Sequence, residues 1–134
     1  MGLILGGWSR TDEPDIRRGI DNLKSAGSFA RLPYWLSLLA DLLSRNDRPD
    51  AARATLDAAL VSGQAHDDLW WLPEVLRMRS RYDEERDAIS RLRSAARMAS
   101  AHGSVALVLR CEHDLSQRGV RRPPPGQPAG LTEA

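Results

Sequence analysis

Three neighbouring residues, Cys111-Glu112-His113, offer the thiol and imidazole that a cysteine nucleophile needs. On a helix, positions two apart point about 200° from each other, so this pair cannot share a proton. Cys111 falls at helical spacing with Leu107 and Leu115 and reads as a buried structural cysteine. His66-Asp67-Asp68 has metal-type donors, but it sits between helical segments. It reads as a solvated turn in which Asp67 or Asp68 caps the next helix. His102 and His113 belong to different segments, and no His-x-x-x-His pair exists for a helical zinc site. Glu84-Glu85 are adjacent carboxylates in a turn, with no apolar pocket to separate their acidities. No Gly-x-Ser-x-Gly elbow occurs, and Gly6-Gly7-Trp8 lacks the Gly-Lys-Ser/Thr ending that grips phosphate. The expectation is a protein without catalytic residues, cofactor or metal.

Binding chemistry is better represented. Tyr34-Trp35 and Trp70-Trp71 lie 35 to 36 residues apart. Stacked units would align such rings along one groove, where they can take an apolar or cationic group. The same rings also suit packing between neighbouring helices, which is the preferred reading. Adjacent tryptophans cannot share one helix face, so Trp70 or Trp71 should be partly exposed. Arg77 and Arg81 are four apart and share a face, with Arg91, Arg93 and Arg97 on the next helix. They could hold an acidic peptide or a phosphate, although Asp83, Glu84, Glu85 and Asp87 stand beside them. The expected partner-contact residues are Trp35, Trp71, Glu74, Arg77 and Arg81. The segment Arg122-Pro123-Pro124-Pro125-Gly126-Gln127-Pro128 formally fits a ligand for aromatic-lined grooves, a match that proline-rich tails produce by chance.

The elements that position these residues are helical. Residues 33–46 carry Leu36, Leu39, Ala40 and Leu43 at helical spacing, and Leu38 and Leu42 widen the apolar surface. Residues 50–62 align Ala52, Thr55, Leu56, Ala59 and Leu60. Residues 86–101 repeat that stripe with Ala88, Leu92, Ala95, Ala96 and Ala99. Small side chains at matching places allow close antiparallel pairing. Residues 69–82 hold Leu72, Val75, Leu76 and Met78, with Pro73 tolerable in a first turn. Residues 104–118 begin with Ser104 as a candidate N-cap. Residues 2–10 and 15–26 complete about seven helices. Gly27, Gly63, Gly103 and Gly119 stand where left-handed helix ends want glycine. Pro14 and Pro49, each followed by an acid, mark helix starts. A turn-helix-glycine unit thus recurs about every 35 to 40 residues, the period of helix-pair solenoids.

The chain has 134 residues, with 19 Lys plus Arg against 18 Asp plus Glu. That suits one domain, expected over residues 1–119, followed by a Pro/Gly-rich disordered tail over 120–134. Balanced charge argues against a nucleic-acid partner, and no apolar run is long enough for a membrane span. A single cysteine and no recognisable signal peptide point to the cytoplasm. The apolar start, with Leu3, Ile4, Leu5 and Trp8, suggests self-association through the first helix or the stump of a longer array.

Four blocks in order carry a family resemblance: Leu32-Pro33-Tyr34-Trp35-Leu36-Ser37-Leu38-Leu39, Arg48-Pro49-Asp50-Ala51-Ala52-Arg53-Ala54, Asp68-Leu69-Trp70-Trp71-Leu72-Pro73-Glu74 and Ala101-His102-Gly103-Ser104-Val105. Over about residues 5 to 119 the chain resembles the tetratricopeptide-like C-terminal region of bacterial ATPase-type transcriptional regulators (LuxR- and adenylate-cyclase-like). The resemblance implies an all-α, right-handed solenoid of antiparallel helix pairs that binds a protein or peptide, or senses a small ligand, for a nucleotide-driven switch. No residue here matches the motifs for ATPase, cyclase or DNA-binding activity, so the resemblance implies the repeat module only.

Overall fold

The computed structural model describes residues 12–120, and within them the chain is all-α. Six helices follow one another: α1 (Asp12–Ser25), α2 (Leu32–Arg45), α3 (Pro49–Ala65), α4 (Leu72–Arg79), α5 (Glu85–Ala101) and α6 (Val105–Gln117). A 3-10 turn, Ser80–Tyr82, extends α4. Each helix packs antiparallel on the next, and α2 and α6 also touch α4. No described helix is long and apolar enough to cross a membrane. The expected helix over 2–10, its proposed self-association, and the tail from residue 121 lie outside the described residues.

The helix ends follow backbone chemistry. Pro49 opens α3, and Pro33 and Pro73 sit in the first turns of α2 and α4, where their missing N–H is no loss. Gly27, Gly103 and Gly119 take left-handed φ of 68°, 75° and 83° at helix ends. Gly63 does not: α3 continues past it to Ala65, and Asp67 takes the left-handed φ of 53° instead. What Gly63 provides is space. A Cβ there would lie 2.6 Å from the Leu72 Cδ2 atom and 2.9 Å from the Asp68 carbonyl oxygen. Ser104 does occupy the N-cap position of α6, but its hydroxyl makes no capping bond. α1 is already helical at Asp12, two residues before Pro14.

The core runs continuously from Ile16 and Ile20 on α1 through Leu36, Leu39, Leu42 and Leu43 on α2 to Leu72, Val75 and Met78 on α4. Two helices share one buried register. Ala52, Leu56, Ala59 and Gly63 of α3 correspond, 36 residues on, to Ala88, Leu92, Ala95 and Ala99 of α5, and all eight are buried. Alanine and glycine at three of the four positions remove side-chain bulk, which lets each helix lie close to its partner. The two six-residue connections, 26–31 and 66–71, have the same turn pattern and each leads into a Leu-Pro helix start.

Candidate functional site

Those two connections are fastened side by side. The Phe29 ring stacks on His66 with centroids 4.2 Å apart. The Arg31 amide donates to Asp68 Oδ2 at 2.8 Å. Arg31 is the residue before α2 and holds a left-handed φ of 65°, a costly conformation for a residue with a Cβ. The bond it donates to Asp68 offsets part of that cost. Asp68 therefore serves the start of α2 rather than capping α4, as its sequence position suggested. His66 and Asp68 are both engaged in holding the loops. Among the described residues no group of three His, Cys, Asp or Glu side chains is placed to hold a metal ion.

The fastened loops bring four aromatic rings together. Tyr34, in the first turn of α2, lies edge-on to Trp71 at 5.2 Å and stacks with Trp70 at 6.1 Å. Trp70 and Trp71 are 5.2 Å apart. Trp71 Nε1 donates to Ser37 Oγ at 3.0 Å, and Ser37 Oγ donates in turn to the Tyr34 carbonyl at 2.6 Å. That chain fixes the Trp71 ring and satisfies its polar atom. Trp70 is 46% exposed, with the Arg31 guanidinium 5.9 Å from its ring centre. Trp35 makes an edge contact with Tyr34 at 6.2 Å, but it turns toward α1, where its ring lies beside Gly19.

Beside the rings, a cleft of about 360 Å³ opens between the start of α4 and the start of α6. Trp70, Trp71, His102, Leu107 and Arg110 line it. One lining residue, Arg110, belongs to a charged cluster that joins α4 to α6. Glu74 is only 6% exposed, and Arg77 grips it with two bonds, Nε to Oε1 at 2.8 Å and Nη2 to Oε2 at 2.6 Å. Arg77 Nη1 also reaches Asp114 Oδ2 at 3.0 Å, and Arg110 Nη1 reaches Glu74 Oε2 at 3.2 Å. The hydrogen bonds that Arg77 donates to Glu74 raise the Arg77 pKa above its ordinary value, against the opposing effect of burial. Arg77 is thus permanently charged, and it is spent on tying α4 to α6. On the outer side of α6, Leu109 and Val105 are exposed.

Of the five expected contact residues, the structure brings Trp71, Glu74 and Arg77 to one side of the molecule. Trp35 faces a different neighbour. Arg81 does not share a face with Arg77, because the helix tightens into the 3-10 turn at Ser80 and leaves Arg81 exposed while Arg77 points inward. The sequence led to the expectation that Trp70 or Trp71 is partly exposed, with Trp71 as the contact residue; the exposed ring is Trp70. Arg31 and Arg110 were not singled out. Cys111 is buried at 1% exposure, and burial pushes its thiol up to about 11, so it is held as a neutral thiol. It is far from the reactive range, and His113 lies exposed on another face of α6.

No protein-family profile matches the sequence, and no solved structure matches it. The chain is similar to an uncharacterized protein of Rhizobium meliloti (strain 1021), 27% identical over 132 residues. The match takes in 90% of this chain and 13% of that relative, so the chain spans a small part of a much longer protein.

Proposed function

We propose that this chain is a non-catalytic helical-repeat module for protein–protein interaction, built as a tetratricopeptide-like right-handed solenoid. Two features support the repeat: the shared 36-residue register of α3 and α5, and the side-by-side contact of α2, α4 and α6. In such an array the first helix of each pair lines one continuous surface. The observation that carries the binding reading is the exposed Trp70 ring, backed by Tyr34 and Trp71 and flanked by Arg31 and Arg110. Rigid aromatic and arginine side chains of this kind are typical anchors of protein interfaces. A partner segment would lay an apolar or aromatic side chain against Trp70 and reach the Arg31 guanidinium with a polar group. A regulatory or scaffolding role within a longer signalling protein rests on the family resemblance and on the greater length of the Rhizobium relative. A small-ligand sensor would need free polar groups converging in a cavity. Arg110 is already committed to Glu74, which favours the surface-binding reading.

The test is a quantitative pull-down from the source cytosol using the chain, Trp70→Ala, and Arg53→Ala as an exposed control on α3. Partners retained by the chain and by Arg53→Ala but lost by Trp70→Ala would support the reading. Equal retention by all three proteins would overturn it.

A further inference from the structure

Most arginines in this fold hold a carboxylate. Arg17, Arg18, Arg45, Arg48, Arg77, Arg79, Arg91, Arg110 and Arg118 each pair with one, and most of these pairs join different elements. The outer face of α5 is different. Arg86, Arg93 and Arg97 are exposed there, and no carboxylate pairs with them among the described residues. Arg97 touches only the Ser94 hydroxyl, at 3.1 Å. At 100° per residue these arginines fall within a band of about 40° that runs roughly 16 Å along the helix. The band lies nearly opposite the buried face made by Ala88, Leu92, Ala95 and Ala99. The three arginines flank a groove of about 410 Å³ that also contains Ile89 and Ser90 and no acidic residue.

At one of these three positions the repeat register offers a comparison within the same chain. Thirty-six residues before Arg93 stands Asp57 of α3. Asp57 is held at 2.8 Å by Arg79 of the following helix. On α3 this position is closed by an ion pair with the next element. On α5 the sign is inverted, to arginine, and the position stands open. A carboxylate brought to Arg93 would restore there the kind of pair that Asp57 makes on α3.

We propose that the outer face of α5 is a second docking surface, distinct from the Trp70 cleft, for an acidic peptide segment. Its carboxylates pair with Arg86, Arg93 and Arg97, and one apolar side chain sits on Ile89. Guanidinium groups suit planar carboxylates with two parallel hydrogen bonds. A net charge of +1 leaves no broad positive field for a polynucleotide, and three contacts would hold one weakly.

The test is fluorescence anisotropy on the full chain at about 50 mM salt. The probe is a labelled peptide of about twelve residues, with glutamates at helical spacing and one leucine. A single-stranded DNA oligonucleotide of equal charge is the competitor. R86E/R93E/R97E is compared with R18E/R45E/R53E, which changes net charge equally at exposed sites elsewhere, and far-UV circular dichroism checks folding. Saturable peptide binding, weakened about tenfold or more only in the α5 variant, supports the proposal. Arg93→Ala gives the same reading with a milder change. No saturable binding, an equal loss in both triple variants, or tighter binding of the oligonucleotide would overturn it.

Discussion

Gly63 and Cys111 illustrate how single atoms set this fold. Alanine favours helix over glycine by about 1 kcal/mol, so Gly63→Ala should stabilise α3 on propensity alone. The added Cβ would meet Leu72 and the Asp68 carbonyl at less than van der Waals distance, and the Asp68 amide is itself bonded to Gly63 O at 2.8 Å. The leucine tip can move, but the backbone oxygen cannot move without breaking the loop that holds Arg31. We expect a net loss of about 1–3 kcal/mol in urea unfolding. The matching change on α5, Ala99→Gly, should cost the propensity difference plus the burial of one methyl group, about 1–2 kcal/mol. Cys111 makes a pH prediction. Its pKa rises from the usual 9.0 to about 11 because burial penalises the thiolate. Folding therefore retains a proton that the unfolded chain releases between pH 9 and 11. The associated stability is fully present below pH 9 and falls by about 2–3 kcal/mol across that window. Chemical denaturation at several pH values should show this slope in the wild type and a shallower one in Cys111→Ala. Cys111 was legible as buried from its spacing with Leu107 and Leu115. The role of Gly63 was not, because a glycine near a helix end carries the same letter whether it bends the chain or makes room for a neighbour.

Between elements, ion pairs do the fastening. Arg77 links Glu74 on its own helix to Asp114 on α6, and Arg79 links Asp57 on α3 to Asp83 beyond the 3-10 turn. Asp83 also receives Arg91 from α5 at 2.6 Å. Side-chain exposure is 13% for Arg77 and 8% for Glu74, so removing one partner leaves a poorly hydrated charge behind. Arg77→Ala should cost about 2–4 kcal/mol, with Arg110 retaining part of the interaction with Glu74. Asp114→Ala should cost about 1 kcal/mol, since Arg77 keeps Glu74. A double-mutant cycle by chemical denaturation should give a coupling of about 0.5–2 kcal/mol between Arg77 and Asp114. A coupling near zero would mean that α6 is held by Leu107, Cys111 and Leu115 without the arginine. The helices themselves were legible to within a few residues, because leucine and alanine periodicity and the Leu-Pro starts are local signals. The cross-helix partners were not, because Arg77 and Asp114 are 37 residues apart and nothing local in the sequence pairs them. The same limit made Arg77 and Arg81 look like one face, when the helix tightens between them.

The whole molecule holds two descriptions in tension: a single core wrapped on itself, or units stacked in a row. The contacts bear on this choice, since α1 packs mainly on α2, and α6 packs on α5 and α4, while α2, α3 and α4 have neighbours on both sides. The hydrophobic core cluster likewise runs through α1 to α4. If stability is a sum of units and nearest-neighbour interfaces, opening should begin at the ends. Native-state hydrogen exchange then gives the deciding measurement. In a stacked array, amides of α2, α3 and α4 should be the slowest. Those of α6 should open at lower free energy, and Arg77→Ala should lower protection in α6 while leaving the α2–α3 pair nearly unchanged. In a single wrapped core, every helix would share one opening free energy, and Arg77→Ala would lower all of them together. The arginine that ties α6 to α4 thus separates the two architectures, because its loss stays local only where the units are stacked.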